Sequence, residues 1–225
     1  MNRGIVSIIA VTGLLAFSLP LAALEQLPEK TQDGLVLQKQ DKLTAVYLKP
    51  GASLKPYTKV MLGPTYVAFI KNYRESYNAD VGPDIEAMIT KSDMKRMQDE
   101  VASEFTKAFS DALQKGGYPV VTEAADDVML IKPAIVNLDP AAPDLETAGS
   151  GMSFVTSSGS LTLYADILDS VTNDKFATVI DAKEAGEGEA QRATRVSNKA
   201  DLDSVIRYWA GLLVKRLDEA HGTSN

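Results

Sequence analysis

The chain has 225 residues, with 23 Lys and Arg against 30 Asp and Glu, and a formal net charge of −7. An acidic surface repels phosphate backbones, so the composition does not support nucleic-acid binding. The chain has no cysteine, which excludes disulfides, thiol nucleophiles, iron–sulfur clusters and thiolate zinc sites, and its single histidine, His221, excludes metal sites built from several histidines. We therefore expect no cofactor. The apolar share of 45% is ordinary for a globular domain.

The N-terminal segment has the pattern of an export signal. Arg3 precedes an uncharged, apolar stretch over residues 4–24, which a proline interrupts and small residues follow. We predict a signal peptide over residues 1–23, cleaved after Ala23, and a periplasmic or secreted protein. The alternative is an uncleaved membrane anchor, because about 20 apolar residues can span a bilayer. Leu24 stands where a lipobox needs cysteine, so lipid attachment by that route is excluded.

Residues 24–42 are polar and have no sustained hydrophobic period, which predicts a tether leading into a single domain over residues 43–222. The first strand is predicted at 43–48. A second strand, over 59–69, should be interrupted at Gly63 and Pro64, because proline has no N–H to give to a sheet.

Residues 71–91 form a long polar connection, and long connections in compact domains are often binding surfaces. Tyr73, Arg74 and Tyr77 are candidate contacts for a partner, because aromatic faces offer a large contact area at low entropic cost. Single exposed aromatic residues are also common on ordinary surfaces.

Residues 93–115 have helical periodicity, with Ser92 as a candidate N-cap and two glycines after the last turn. Its Met and Phe stripe is expected to belong to the core. Strands are predicted at 118–122 and 128–138, followed by a flexible loop.

A run rich in Ser and Thr at residues 153–160 contains Ser157 and Ser158, which are candidate contacts for a polar ligand. A nucleophilic role is not supported, because the chain lacks a G-x-S-x-G turn and a credible histidine partner. A flexible loop that enters a strand explains the run equally well.

Residues 161–167 alternate between apolar and polar side chains, which predicts a half-buried strand, and a turn at Asn173 leads to a partner strand over 176–184. Acidic residues gather around this hairpin: Asp166, Asp169, Asp181, Glu184, Glu187 and Glu189. Facing carboxylates could bind Ca²⁺ or divide acid and base roles, but a solvated strand face is the simpler interpretation.

The last element is an amphipathic helix over residues 199–220, with Asn198 as a candidate cap. We expect His221 at the surface of its last turn, where a positive charge suits the helix dipole. Each of the two predicted helices has one apolar stripe, which must be buried against a sheet. The sequence therefore predicts an α+β two-layer sandwich, in which two helices pack on one face of a mostly antiparallel sheet.

Several short motifs resemble one bacterial envelope family, domain of unknown function 3313. They are Tyr47-Leu48-Lys49-Pro50-Gly51, Lys59-Val60-Met61-Leu62, Tyr118-Pro119-Val120-Val121, Asp166-Ile167-Leu168-Asp169-Ser170 and Tyr208-Trp209-Ala210. The resemblance implies a small envelope protein, usually a lipoprotein, with no established catalytic residues. This chain departs from that pattern at Leu24, in place of the lipid-bearing cysteine.

The leading functional hypothesis is a non-catalytic binding or assembly module, whose partner is an unknown envelope protein or cell-wall component. Contact with a membrane is expected only if the N-terminal segment stays uncleaved. One alternative is a carboxylate-dependent glycan hydrolase, which needs two acids facing one cleft at about 5 to 9.5 Å. The other is a small-ligand carrier, which needs an apolar pocket under the sheet or between the helices.

Overall fold

The computed structural model describes residues 27–39, 42–83, 88–140, 160–184 and 195–223. The predicted signal peptide with its cleavage at Ala23, the candidates Ser157 and Ser158, and the acids Glu187 and Glu189 lie outside these residues. Within the described residues the chain forms seven strands and three helices. In chain order they are β1 (Val36–Leu37), β2 (Ala45–Leu48), β3 (Lys59–Leu62), β4 (Tyr66–Phe69), α1 (Tyr73–Val81), α2 (Lys91–Lys115), β5 (Val128–Asp139), β6 (Ser160–Asp169), β7 (Lys175–Glu184) and α3 (Arg195–His221).

The strands form one sheet in the order β1-β2-β7-β6-β5-β3, and β4 also pairs with β5. Neighbouring strands run antiparallel, except that β3 and β4 both run parallel to β5. The predicted break at Gly63 and Pro64 separates β3 from β4. The chain stays against β5 across this break, because the Gly63 N–H donates to the Ile131 carbonyl at 2.8 Å.

The main core lies between one face of this sheet and the helices α2 and α3. Val101, Phe105 and Phe109 of α2 and Ile206 of α3 pack there against inward side chains of β5, β6 and β7. The predicted α+β sandwich with a mostly antiparallel sheet is therefore confirmed.

Helix α2 begins two residues earlier than the sequence predicted, because Thr90 and not Ser92 is its N-cap. The Thr90 hydroxyl accepts from the Asp93 N–H at 3.1 Å, and the Asp93 carboxylate accepts from the Thr90 N–H at 2.8 Å. This reciprocal capping box satisfies two backbone groups that a helix start otherwise leaves open. Ser92 lies inside the first turn.

Three other elements differ from prediction. The connection after β4 contains helix α1, which has no apolar stripe because only Tyr73 in it is buried. The predicted strand at 118–122 is reduced to a single bridge between Val60 and Val120, since Pro119 has no N–H to extend the pairing. Helix α3 begins at Arg195, so residue 198 lies inside it and not at its cap.

The polar segment predicted as a tether contains β1, which pairs with β2. Leu35, Ala45, Tyr47 and Ile180 form a small second core on the sheet face opposite the helices. The Tyr47 hydroxyl donates to the Pro28 carbonyl at 3.0 Å. This part of the chain therefore covers the far face of β2 and β7.

Candidate functional site

A cavity of about 560 Å³ lies between α3 and the helix-facing side of the sheet. Strands β2, β6 and β7 form its floor, α3 forms one wall, and Phe109 of α2 closes one side. The connection between β2 and β3 forms the opposite wall. Its apolar lining consists of Leu43, Val46, Leu48, Ala52, Leu54, Phe109, Ile131, Leu163, Ala165, Ile167, Phe176, Ala177, Val179, Trp209, Leu212, Leu213 and Ala220.

The two faces of β2 and β7 show why the cavity exists. Ala45 and Tyr47 of β2 point away from the helices and are buried, whereas Val46 and Leu48 point toward α3 and are only half-buried. Val179, which pairs with Val46, is also half-buried. The helix layer is therefore incomplete over this end of the sheet.

The widths of the two layers give the physical reason. A helix is about 10 Å wide and strands lie about 4.8 Å apart, so two helices cover about four strands. The main path of this sheet has six strands. Helix α3 also packs close to α2, because a Cβ added at Gly116 would lie 2.7 Å from both methyl carbons of Val214. This close approach keeps α3 away from β2.

The polar side chains of the lining mark the open side of the cavity. Arg216, on α3, has 62% of its side chain exposed, and its Nη1 lies 2.8 Å from Oε2 of Glu219. Lys39 and Lys42 are also exposed and lie across the opening, on the segment that precedes β2. The site thus combines an apolar interior with a charged mouth.

The wall between β2 and β3 is held in place from the floor of the cavity. The Tyr57 hydroxyl donates to Oδ2 of Asp169 at 3.2 Å. The Tyr57 ring stacks on the Phe176 ring at a centroid distance of 5.2 Å. Burial, together with the Asp169 carboxylate, raises the pKa of Tyr57 to about 12. This wall is therefore preformed.

The same wall is joined to the end of α3 by the single histidine. The Lys55 carbonyl lies 3.0 Å from Nε2 of His221, and because a carbonyl can only accept, Nε2 carries the proton. The neighbouring Tyr118 hydroxyl donates to Oδ1 of Asp218 at 2.7 Å. Burial and that carboxylate raise the pKa of Tyr118 to about 12. His221 lies in the last helical turn, but it is half-buried and hydrogen-bonded, whereas the sequence predicted a surface residue.

The indole of Trp209 is fixed by a buried carboxylate. Its Nε1–H donates to Oδ2 of Asp181 at 2.7 Å, and Oδ1 of the same carboxylate accepts from the Thr44 N–H at 3.1 Å. Asp181 is only 2% exposed. Periodicity assigned Trp209 to the apolar stripe of the last helix, and no sequence signal indicated that it would line a cavity.

The three candidates in the first long connection lie on α1 and not at the cavity. Tyr73 is 5% exposed, and its hydroxyl donates to the Pro140 carbonyl at 2.9 Å. Burial raises its pKa. Tyr77 is half-buried, and Arg74 pairs with the adjacent Glu75 at 2.6 Å. Tyr73 therefore belongs to the packing of this end of the domain and does not offer a free face to a ligand.

The acids of the hairpin are separated by the sheet. Asp181 pairs in register with Leu163 on the helix side, whereas Asp166 faces away from the helices and accepts from the Thr178 hydroxyl at 2.6 Å. Asp169 instead holds the turn, where its Oδ1 accepts from the Thr172 N–H at 2.8 Å. In the part of the chain that the structure describes, no three acidic or histidine side chains lie close enough together to hold a metal ion. Over the same residues, no helix is both long and apolar enough to cross a membrane.

Residues 31–213 match the family described as protein of unknown function (DUF3313), and the chain belongs to that family. No curated protein matches it. Among solved structures, a PelC dodecamer from Paraburkholderia phytofirmans is 12% identical, with 76% of this chain and 95% of that chain covered and a TM-score of 0.38. A minor lipoprotein from Acinetobacter baumannii is 12% identical, with 74% and 94% covered and a TM-score of 0.32. A putative neuraminyllactose-binding hemagglutinin homolog from Helicobacter pylori is 14% identical, with 76% and 92% covered and a TM-score of 0.33.

Proposed function

We propose that this protein is a non-catalytic binding module of the bacterial cell envelope that holds an apolar ligand between α3 and the sheet. The cavity of about 560 Å³ is the observation that carries this proposal. Its size falls within the range of small-molecule sites, about 300 to 1,000 Å³, and such sites are lined mainly by apolar side chains.

The state of the lining favours a ligand over a simple gap in the packing. Protein cores hold few voids larger than a water molecule. Here Val46, Leu48 and Val179 keep apolar surface half-buried beside the main core. A ligand that covers this surface gains about 0.8 kcal/mol for each buried methylene group.

The proposed location in the cell envelope rests on the apolar N-terminal segment and on the resemblance to a bacterial envelope family. An envelope protein or cell-wall component as a further partner stays a prediction. The hydrolase alternative is not favoured, because Asp166 and Asp181 lie on opposite faces of the sheet and do not share a cleft.

The chain has one tryptophan, Trp209, and it lines the cavity, so its fluorescence can report occupancy directly. A long-chain alcohol that carries bromine on its chain should quench Trp209 in a saturable way, because bromine quenches indole at short range. Replacing Val179 with Phe narrows the cavity and should weaken binding about ten-fold or more, a change of about 1.4 kcal/mol.

Val171→Phe is the matched control, since Val171 is 52% exposed in the hairpin turn and does not line the cavity. Both variants keep Trp209 as the only tryptophan. Circular dichroism should show that both are folded. The proposal fails if the folded wild type shows no saturable quenching, or if the two variants bind equally well.

A further inference from the structure

The mouth of the cavity carries mainly positive side chains, whereas the chain as a whole is acidic. This difference allows the chemical class of the ligand to be specified further. Building on the proposed function, we infer that the ligand is a single-chain amphiphile with an anionic head group. The hydrocarbon chain lies in the cavity and the head group lies at the mouth, among Lys39, Lys42 and Arg216.

The sign of the charge at the mouth is the first observation. The chain as a whole has a formal net charge of −7. The cavity lining, in contrast, includes Lys39, Lys42 and Arg216 as cations and Glu219 as its single carboxylate among the described residues. An acidic protein that places cations around an apolar opening provides charge complementarity for an anion at that point.

Helix α3 carries both kinds of contact on one face. Trp209, Leu213 and Arg216 follow one another at spacings of four and three residues, so they line the same side of the helix. Seven residues of helix correspond to about 10 Å along its axis. An extended chain that begins beside Trp209 therefore reaches a cation at the mouth.

Arg216 can accept an anionic group without losing its present partner. Its ion pair with Glu219 involves one guanidinium nitrogen, and 62% of the Arg216 side chain and 38% of the Glu219 side chain are exposed. Exposed pairs of this kind contribute little to stability and rearrange at low cost. A guanidinium has five N–H donors and can bind a carboxylate or phosphate through two of them.

The interior of the cavity selects against polar ligands. The charged members of its described lining are exposed, and the indole N–H of Trp209 is already bound by Asp181. A sugar or peptide placed there would leave its polar groups unpaired, at a cost of about 1 to 3 kcal/mol for each group. The buried part of the ligand should therefore be a hydrocarbon chain.

The volume of the cavity matches one such chain. A water-sized group takes about 30 Å³ of liquid volume, and a methylene group is of similar size. The cavity of about 560 Å³ therefore holds about 18 methylene-sized groups. This number corresponds to one long acyl chain.

The test compares two probes with the same brominated sixteen-carbon chain, a carboxylate and a primary alcohol, each below its micelle concentration. Quenching of Trp209 measures both. We expect the carboxylate to bind about ten-fold more tightly, and this preference to shrink at high salt, because exposed charges are screened.

The combined variant Lys39→Gln, Lys42→Gln and Arg216→Gln should remove that preference, so that it binds the carboxylate and the alcohol about equally well. The matched control is the combined variant Lys95→Gln, Lys107→Gln and Lys115→Gln. It has the same change in charge, and these residues of α2 do not line the cavity. The control should bind both probes as the wild type does.

Equal binding of the two probes by the wild type would overturn the inference of an anionic head group, but it would leave the proposed binding of an apolar ligand intact. An unaffected preference in the mouth variant would do the same. If neither probe binds the folded wild type, the proposed function fails together with this inference.

Discussion

Replacing Asp181 with Ala should destabilise the protein more than any surface substitution. The carboxylate is 2% exposed, and it accepts from the Trp209 indole and from the Thr44 backbone. It also lies 3.0 Å from Nζ of Lys183, whose side chain is 38% exposed. These contacts join the middle of α3 to strand β7 and to the residue before β2.

The size of the destabilisation follows from the hydrogen-bond donors that the substitution leaves without an acceptor. A buried donor that loses its acceptor costs about 1 to 3 kcal/mol. Here the Trp209 indole and the Thr44 N–H lose theirs, together with the longer contact of the Thr44 hydroxyl at 3.4 Å. Lys183 adds little, because its ammonium can return to water. We therefore expect Asp181→Ala to lower the free energy of unfolding by about 2 to 5 kcal/mol. Asp181→Asn keeps one acceptor oxygen and should cost about half as much.

The assay is urea denaturation followed by far-ultraviolet circular dichroism, repeated in a Trp209→Phe background. Phenylalanine removes the indole donor, so Asp181→Ala should cost at least about 1 kcal/mol less in that background. A loss below about 1 kcal/mol in the wild-type background would refute the argument, since it would mean that water satisfies these donors. An equal loss in both backgrounds would refute the role of the indole.

Two further predictions concern the packing of the helices and the tyrosines near the cavity. Gly116→Ala should lower the free energy of unfolding by about 1 to 3 kcal/mol, because its Cβ would lie 2.7 Å from both methyl carbons of Val214. Adding Val214→Ala should recover most of this loss, as measured by thermal unfolding. The absence of any recovery would contradict the close approach of the two helices. Tyr57 and Tyr118 have pKa values raised to about 12 from 10, so the stability that they contribute is complete below pH 10 and is lost as pH rises toward 12. Tm should fall across this window, and the fall should be shallower when both are replaced by Phe; an identical pH profile would contradict the assignment.

Features with a local cause could be predicted from the sequence. The apolar stripes of α2 and α3 are periodic, so both helices were predicted within a few residues. The break at Gly63 and Pro64 follows from a missing N–H. The burial of Tyr73 could not be predicted from local sequence. It depends on packing against Phe69, whose ring centroid lies 5.0 Å away.

The amino-acid sequence by itself determined which side chains are apolar and which elements they form, because periodicity and turn chemistry act over a few residues. Only the tertiary structure decided that Val46, Leu48 and Val179 face an opening and that Trp209 lines it. Their exposure depends on the lateral position of α3, which is limited by the contact between Gly116 and Val214. That contact joins residues about a hundred positions apart, and no local pattern records it.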